Sequence, residues 1–179
     1  MTPSGTRGRT SLTSVRCERC GFTSEAFHRR EVPAVLRACA GQWRTILDDP
    51  HLSRQKTGPL GWSPLEYGCH ARDMCVLFHR RLITMLRLPP VRRIRETGRA
   101  RREAELLTRY SEEDPRQVAP ELGWAAESLA CRFETFTGAD WGGRDPRSGT
   151  PGLSVELCTE HFIHDLVHDL SEVARLKAP

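Results

Sequence analysis

The amino-acid sequence predicts an all-α protein, namely a four-helix up-down bundle with a short N-terminal zinc-binding appendage. Apolar residues recur at helical spacing in four segments of roughly 20 residues each. Two of these segments begin with an N-cap residue followed by proline, which is typical of a helix start. No segment shows the alternation of apolar and polar residues that a half-buried strand requires. The 179-residue chain is long enough for one hydrophobic core.

The first and last helices are predicted from periodicity alone. Residues 31–49 carry apolar side chains three and four positions apart, among them Leu36 and Trp43. Residues 154–177 repeat this spacing, with Ile163 and Leu166 on one face. Both segments therefore have one face that can be buried against the other helices.

The second and third helices are predicted from their caps. Ser63-Pro64-Leu65-Glu66 is a capping box with proline at the first helical position, and the helix should run to residue 88, before Pro89 and Pro90. Asp114-Pro115 begins the third helix, which should extend to about residue 136. Residues 50–61, 91–102 and 138–152 are predicted connections, so at least one connection is long.

Composition and patterning suggest three regions. Residues 1–14 are rich in Gly, Ser and Thr and are predicted to form a disordered tail, residues 15–30 an appendage, and residues 31–179 the bundle. No apolar run reaches the length of a membrane helix and no secretory signal is visible, so we expect a cytoplasmic protein without a membrane partner. The arginine-rich residues 91–102 lack interleaved aromatic side chains, which favours a solvated connection over a nucleic-acid site.

Histidines on two predicted helices suggest a metal site inside the bundle. His164 and His168 are four residues apart and therefore lie on one helix face. His70, near the inward face of the second helix, could supply a third imidazole. Three neutral imidazoles would bind zinc and leave a coordination position open for chemistry.

A second candidate metal site lies in the appendage. Cys17-Glu18-Arg19-Cys20-Gly21 has the spacing of half a zinc ribbon, in which the turn directs both thiolates at one ion. A tetrahedral site needs two more ligands, and spacing alone does not choose among several candidates. These candidates are Cys39, Cys69, Cys75, Cys131, Cys158 and His28. A redox-active pair and two free thiols are the alternatives to a structural zinc.

Together these motifs resemble the DinB-like superfamily of four-helix metalloproteins. Trp62-Ser63-Pro64-Leu65-Glu66-Tyr67 followed by Cys69-His70-Ala71-Arg72-Asp73 resembles the family's second helix, and His164-Asp165-Leu166-Val167-His168 resembles its fourth. Arg109-Tyr110 before Glu113-Asp114-Pro115 resembles the approach to its third helix. The resemblance covers about residues 30–175 and assigns the three metal ligands to His70, His164 and His168. The arginine-rich segment between helices two and three departs from the family pattern.

The resemblance implies a metal-dependent thiol S-transferase that acts on a small-molecule substrate and forms a homodimer. The metal would be zinc, with nickel, iron or manganese as alternatives, and the thiol would be mycothiol, bacillithiol or glutathione. A thiol bound at the open position would lose its proton and attack an electrophile. His161 is a candidate acid–base residue, and Arg72 or Arg81 could orient a carboxylate. The alternatives are a metal-dependent hydrolase and a non-enzymatic, redox-sensing or structural metal protein.

Overall fold

The computed structural model describes residues 16–56, 61–87, 109–144 and 153–175. These residues form five α-helices, which are α1 Val32–Leu47, α2 Pro64–Arg87, α3 Pro115–Glu134, the short α4 Gly138–Trp141 and α5 Val155–Arg175. Two 3₁₀ turns, Ser24–Ala26 and Arg29–Glu31, precede α1. Within these ranges there is no β-strand, so the prediction of an all-helical protein is confirmed for the described chain. None of these helices is both long and apolar enough to cross a bilayer.

The four long helices begin and end close to their predicted bounds. The predicted tail 1–14 and the arginine-rich residues 91–102 lie outside the described residues. Helix α4 falls within a predicted connection, because one helical turn is too short to show a period. Its Trp141 is buried and stacks on Phe133 at 5.4 Å between ring centroids.

Both predicted helix caps are present. At the start of α2, the Ser63 backbone N–H and hydroxyl donate to Glu66 Oε2 at 2.7 and 2.8 Å, and the Glu66 backbone N–H donates to Ser63 Oγ at 3.3 Å. At the start of α3, the Asp114 side chain accepts a hydrogen bond from the Arg116 backbone N–H at 3.0 Å. These bonds satisfy N–H groups that have no partner inside the helix.

The long helices pack around a shared apolar core. Helix α3 lies against α1 and α2, and α5 also lies against α1 and α2. Phe78 of α2 stacks on Phe162 of α5 with 4.3 Å between ring centroids, and Trp43 of α1 is 1% exposed. This packing holds α5 in place independently of any metal.

Helices α2 and α3 run in the same direction, which a strictly alternating up-down bundle does not have. Arg72, early in α2, bonds to Glu113 just before α3, whereas Phe78 further along α2 stacks near Phe133 at the end of α3. A parallel pair requires a long connection between its members. The predicted long connection, residues 91–102, lies between α2 and α3 in the sequence.

Arg72 is enclosed by three carboxylates of its own chain. Its guanidinium lies 2.6 Å from Glu113, 2.8 Å from Glu121 and 2.9 Å from Asp73, and its side chain is 14% exposed. The Tyr110 hydroxyl also donates to Asp73, at 2.8 Å. Arg72 therefore fastens α2 to α3 and to the segment before α3.

Candidate metal centre

The Cys17–Cys20 segment folds into a tight turn. The Gly21 backbone N–H donates to the Cys17 carbonyl at 2.8 Å, and the Cys17 N–H donates to the Phe22 carbonyl at 2.8 Å. Gly21 has a φ of 75°, a backbone conformation that glycine adopts without the penalty a Cβ would cause. The turn places both cysteine side chains on the same side of the chain.

Helix α5 presents a matching pair of imidazoles. His164 and His168 are one helical turn apart, with 5.5 Å between ring centroids. Their side chains are 27% and 28% exposed. The helix thus holds two ligand side chains at a spacing that suits one ion.

The structure brings the Cys17–Cys20 turn and this histidine pair together into one group. One ligand atom from each of Cys17, Cys20, His164 and His168 lies within 4.8 Å of every other. Cys17 Sγ is 3.6 Å from His168 Nδ1, across 151 residues of sequence. The sequence assigned these four residues to two separate sites, whereas in the structure they form one, which we call the Cys₂His₂ group.

Each of the two imidazoles has a carboxylate near one of its ring nitrogens. His168 Nδ1 faces Cys17, and its other nitrogen, Nε2, lies 3.5 Å from Glu172 Oε1. His164 Nδ1 lies 3.6 Å from Asp165 Oδ1. His164 Nε2 is buried and lacks a hydrogen-bond partner in the described part of the chain, so it is the atom left for a metal. Histidine ligands of metals commonly have a carboxylate as the partner of the second ring nitrogen, and Asp165 and Glu172 lie near enough to take that role.

Glu172 links the group to the turn. Its side chain is 6% exposed, and its Oε1 lies 2.8 Å from Arg19 Nε and 3.6 Å from Arg175 Nη1. Arg19 stands between the two cysteines in sequence, so this ion pair holds the Cys17–Cys20 turn against α5. A buried carboxylate with two cationic partners and an imidazole is held in one position.

The two thiols differ in acidity. Burial acts to raise the pKa of Cys17, but hydrogen bonding within the turn at the Cys20 backbone and the nearby His164 imidazole outweigh it, and the pKa falls to about 6. Burial raises the pKa of Cys20 above its ordinary value. The thiolate is the form that binds metals, and Cys17 is poised to supply it near neutral pH.

Residues 16–31 lie along α5. Arg29 contacts Glu156 at 2.5 Å, Ser24 hydrogen-bonds Glu160, and the Phe22 ring is 5.2 Å from the His164 ring. Most of these pairs are exposed ion pairs or hydrogen bonds, which contribute little stability individually. Four metal ligands at one end would therefore contribute much of what holds this segment in place.

The other predicted site residues lie elsewhere around α5. His70 packs edge-on against Trp62, with 5.5 Å between ring centroids, and is outside the Cys₂His₂ group. The Asp165 carboxylate interacts electrostatically with His70 as well as with His161, His164 and His168. His161 is half-buried, one turn before His164.

The six residues proposed as further ligands to Cys17 and Cys20 are not members of the group either. Cys39, Cys69, Cys75 and Cys158 are buried, and Cys131 is exposed, with its thiol 3.3 Å from Glu127. His28 lines a small groove of about 170 Å³ beside Phe22. The buried cysteines act as small apolar residues, since burial raises the pKa of the Cys75 thiol to about 12.

Sequence reasoning missed Glu172, Arg19 and Asp169. Glu172 follows His168 by four residues and so extends the His164–His168 row along the helix, which was a usable signal. Asp169 has a buried Oδ2 that lacks a hydrogen-bond partner within the described residues. Burial, followed by the charges of Asp165 and Glu172, raises its pKa to about 7. Nothing in the local sequence indicated this burial.

The Cys₂His₂ group fits a metal ion in both chemistry and geometry. Two thiolates and two imidazoles are a donor set that zinc takes in tetrahedral sites, and four protein ligands leave no open position. A site of this closed kind holds a fold together. A reactive site with an open position would need fewer protein ligands.

A scan against protein-family models, a search of curated proteins and a search of solved structures each found no match to this chain. The resemblance to DinB-like proteins therefore stays a hypothesis.

Proposed function

We propose that the protein is a non-enzymatic zinc protein in which Cys17, Cys20, His164 and His168 hold one Zn²⁺. The ion would fasten the N-terminal segment to the last helix of a DinB-like four-helix bundle. The observation that carries this proposal is the convergence of four ligand atoms within 4.8 Å from segments about 150 residues apart.

Zinc is the metal favoured by these donors. Thiolates are soft ligands, whereas Mg²⁺, Ca²⁺ and Mn²⁺ prefer oxygen ligands. Two sulfur and two nitrogen ligands suit the tetrahedral geometry of Zn²⁺. His164 Nε2 is buried without a hydrogen-bond partner in the described part of the chain, which also supports a bound ion. A buried polar atom that gives up its hydrogen bond to water and gains no other partner destabilises the fold.

The same centre would respond to oxidants. The Cys17 thiolate can attack an oxygen atom of a hydroperoxide. The O–O bond then breaks, a sulfenic acid forms on Cys17, and hydroxide or alkoxide is released. The Cys20 thiolate then attacks that sulfur, forms the disulfide and releases hydroxide. Two of the four ligands are lost in this step, so oxidation would release the zinc. The proposed role is therefore a structural zinc centre with redox sensitivity.

Metal content of variants tests this proposal. We expect about one zinc per chain by elemental analysis of the purified protein, and loss of it in both His164→Ala and Cys20→Ser, since each removes one of four ligands. His70→Ala should keep the zinc, and Cys131→Ser is the matched thiol control. Cobalt substitution should give a sulfur-to-metal charge-transfer band in the wild type and in His70→Ala. Zinc loss in His70→Ala together with retention in Cys20→Ser would contradict the Cys₂His₂ assignment.

A second candidate function is the thiol S-transferase implied by the DinB resemblance. It is favoured by the electrostatic interaction of His70 with the Asp165 carboxylate, which interacts with His164 and His168 as well. In this alternative, His70, His164 and His168 would hold the metal, and Cys17 and Cys20 would leave it when a low-molecular-weight thiol enters. His161 would then be an acid–base candidate beside the opened site.

The thiol hypothesis predicts a spectroscopic change that the closed centre does not. In cobalt-substituted Cys17→Ser/Cys20→Ser protein, which retains all three histidines, mycothiol or glutathione should restore a charge-transfer band as the thiol binds as an anion. Adding His70→Ala to the Cys17→Ser/Cys20→Ser protein should abolish that band. Thiol transfer would be contradicted if the Cys17→Ser/Cys20→Ser variant failed to bind cobalt, or if neither thiol produced a charge-transfer band.

A further inference from the structure

A small groove lies beside the metal centre, between the N-terminal segment and the bundle. Its volume is about 170 Å³. The N-terminal segment supplies one wall, which includes Phe22, and α1 and α5 supply the other, which includes Val35 and Val167. The polar residues of the lining are His28 and Glu31, and both are exposed. The interior of the groove is therefore apolar, and its polar groups lie at the rim.

The groove adjoins the Cys17 side of the Cys₂His₂ group. Phe22, which lines the groove, accepts a hydrogen bond from the Cys17 backbone N–H at its carbonyl, at 2.8 Å, and its ring lies 5.2 Å from the His164 ring. On α5, Val167 lines the groove, and the next residue, His168, has its Nδ1 3.6 Å from Cys17 Sγ. Both walls of the groove thus continue directly into the metal centre.

We propose that this groove binds the apolar group of a neutral organic hydroperoxide, and that this class of compound is the oxidant to which the zinc centre responds. The inference rests on the proposed function, because it assigns a substrate class to the same Cys₂His₂ group. An apolar group in the groove would bring its peroxide next to the centre, whereas hydrogen peroxide has no group that the groove could hold.

The size and the charge of the groove select this occupant. A cavity of about 150 Å³ with a lining of apolar side chains stays dry and binds benzene, so a groove of about 170 Å³ has room for one group of that size. Glu31 adds a negative charge, and the lining, which belongs to the described part of the chain, includes no Lys or Arg. An anionic hydroperoxide, such as that of a fatty acid, would therefore be disfavoured relative to a neutral one.

The wall formed by the N-terminal segment connects the oxidation to release of the product. The Cys17 thiolate attacks the outer oxygen of the hydroperoxide, the O–O bond breaks, and the alkoxide leaves and takes a proton from water to become the alcohol. Cys20 then forms the disulfide with Cys17 and hydroxide leaves, so the zinc loses two ligands. Partial release of the segment removes one wall of the groove, which lets the alcohol leave.

Rates of zinc release with two oxidants test the proposal. The zinc-bound protein is treated with cumene hydroperoxide or with hydrogen peroxide, and a chromophoric chelator reports the released zinc. We expect the rate constant with cumene hydroperoxide to be about 10- to 100-fold larger, after normalisation to the same ratio for free cysteine, because burial of a benzene-sized group favours binding by about that factor. Cumyl alcohol has the same apolar group but does not oxidise thiols, so it should slow only the reaction with cumene hydroperoxide.

Variants that fill the groove should remove this preference. Val35 is half-buried and Ala26 is exposed, and both line the groove, so Val35→Phe and Ala26→Leu place larger side chains in it. In each variant the ratio of the two rate constants should fall towards that of free cysteine. Val76→Phe on α2 is the matched control, because Val76 is 38% exposed and lies outside this groove, and it should keep the wild-type ratio.

Three results would overturn the assignment of the groove. These are a wild-type ratio equal to that of free cysteine, a wild-type ratio retained in both Val35→Phe and Ala26→Leu, and equal slowing of both oxidants by cumyl alcohol. If hydrogen peroxide releases zinc from the protein but the ratio shows no preference, the Cys₂His₂ centre stands and only the substrate class is wrong. If the purified protein holds no zinc, the proposed function fails, and the assignment of the groove fails with it.

Discussion

Removal of zinc is expected to lower the thermal unfolding temperature of the protein by about 10 °C. A ligand that binds only the folded state stabilises it by about 4 kcal/mol when its concentration is about 1000 times its dissociation constant. For a domain of this size, each kcal/mol corresponds to roughly 2–4 °C. Calorimetry with zinc and with a chelator measures the shift, and Cys17→Ser/Cys20→Ser should unfold like chelated wild type.

The structural effect of zinc removal should be confined to the N-terminal segment, residues 16–31. The core pairs, such as Phe78 with Phe162, do not involve the metal ligands, so helical circular dichroism should persist after chelation. Residues 16–31 would lose their strongest attachment, and trypsin should cut after Arg19, Arg29 or Arg30 faster than in the zinc form. Cys131→Ser should behave like wild type in both tests. Equal unfolding temperatures with and without the chelator would show that no metal stabilises the fold.

Glu172→Gln is expected to weaken zinc binding about 10- to 100-fold, because carboxylates that orient histidine ligands contribute about that much to affinity. The substitution keeps the size of the side chain but removes the charge that faces His168 Nε2, Arg19 and Arg175. Competition with a chromophoric chelator measures the affinity.

Glu160→Gln is the matched control for this test. Glu160 lies on the same helix and hydrogen-bonds Ser24 of the same N-terminal segment. Within the described residues it makes no hydrogen bond or ion pair with a ligand side chain. It should bind zinc like the wild type. If both variants bind zinc equally weakly, the effect comes from weaker attachment of the N-terminal segment to α5. If neither variant binds zinc more weakly than the wild type, Glu172 does not orient His168.

Oxidation of the cysteines and chelation of the zinc should affect the N-terminal segment in the same way. If hydroperoxide forms the Cys17–Cys20 disulfide, the oxidised protein should show the same protease sensitivity as the chelated protein, because both lack the metal. The Arg19–Glu172 ion pair remains in either state and would keep part of the attachment. This predicts partial release of the N-terminal segment on oxidation.

The sequence by itself determined the features that depend on neighbours along the chain. The capping box at Ser63 and Glu66 and the cap at Asp114 are built from residues two or three positions apart, so their hydrogen bonds could be predicted from spacing. The His164–His168 row follows from the helical repeat in the same way. The Cys17–Cys20 turn, with Gly21 after it, is also local.

Only the tertiary structure decided which of these local features meet. The Cys17–Cys20 turn could have found its other ligands among six residues, and it lies beside His164 and His168 because residues 16–31 run along α5. The parallel direction of α2 and α3, and the burial of Arg72 among three carboxylates, likewise depend on packing between distant segments. Spacing in sequence determines which side chains share a face, but the apolar contacts between helices determine which faces come together, and these contacts are too numerous and too similar to be chosen from one sequence.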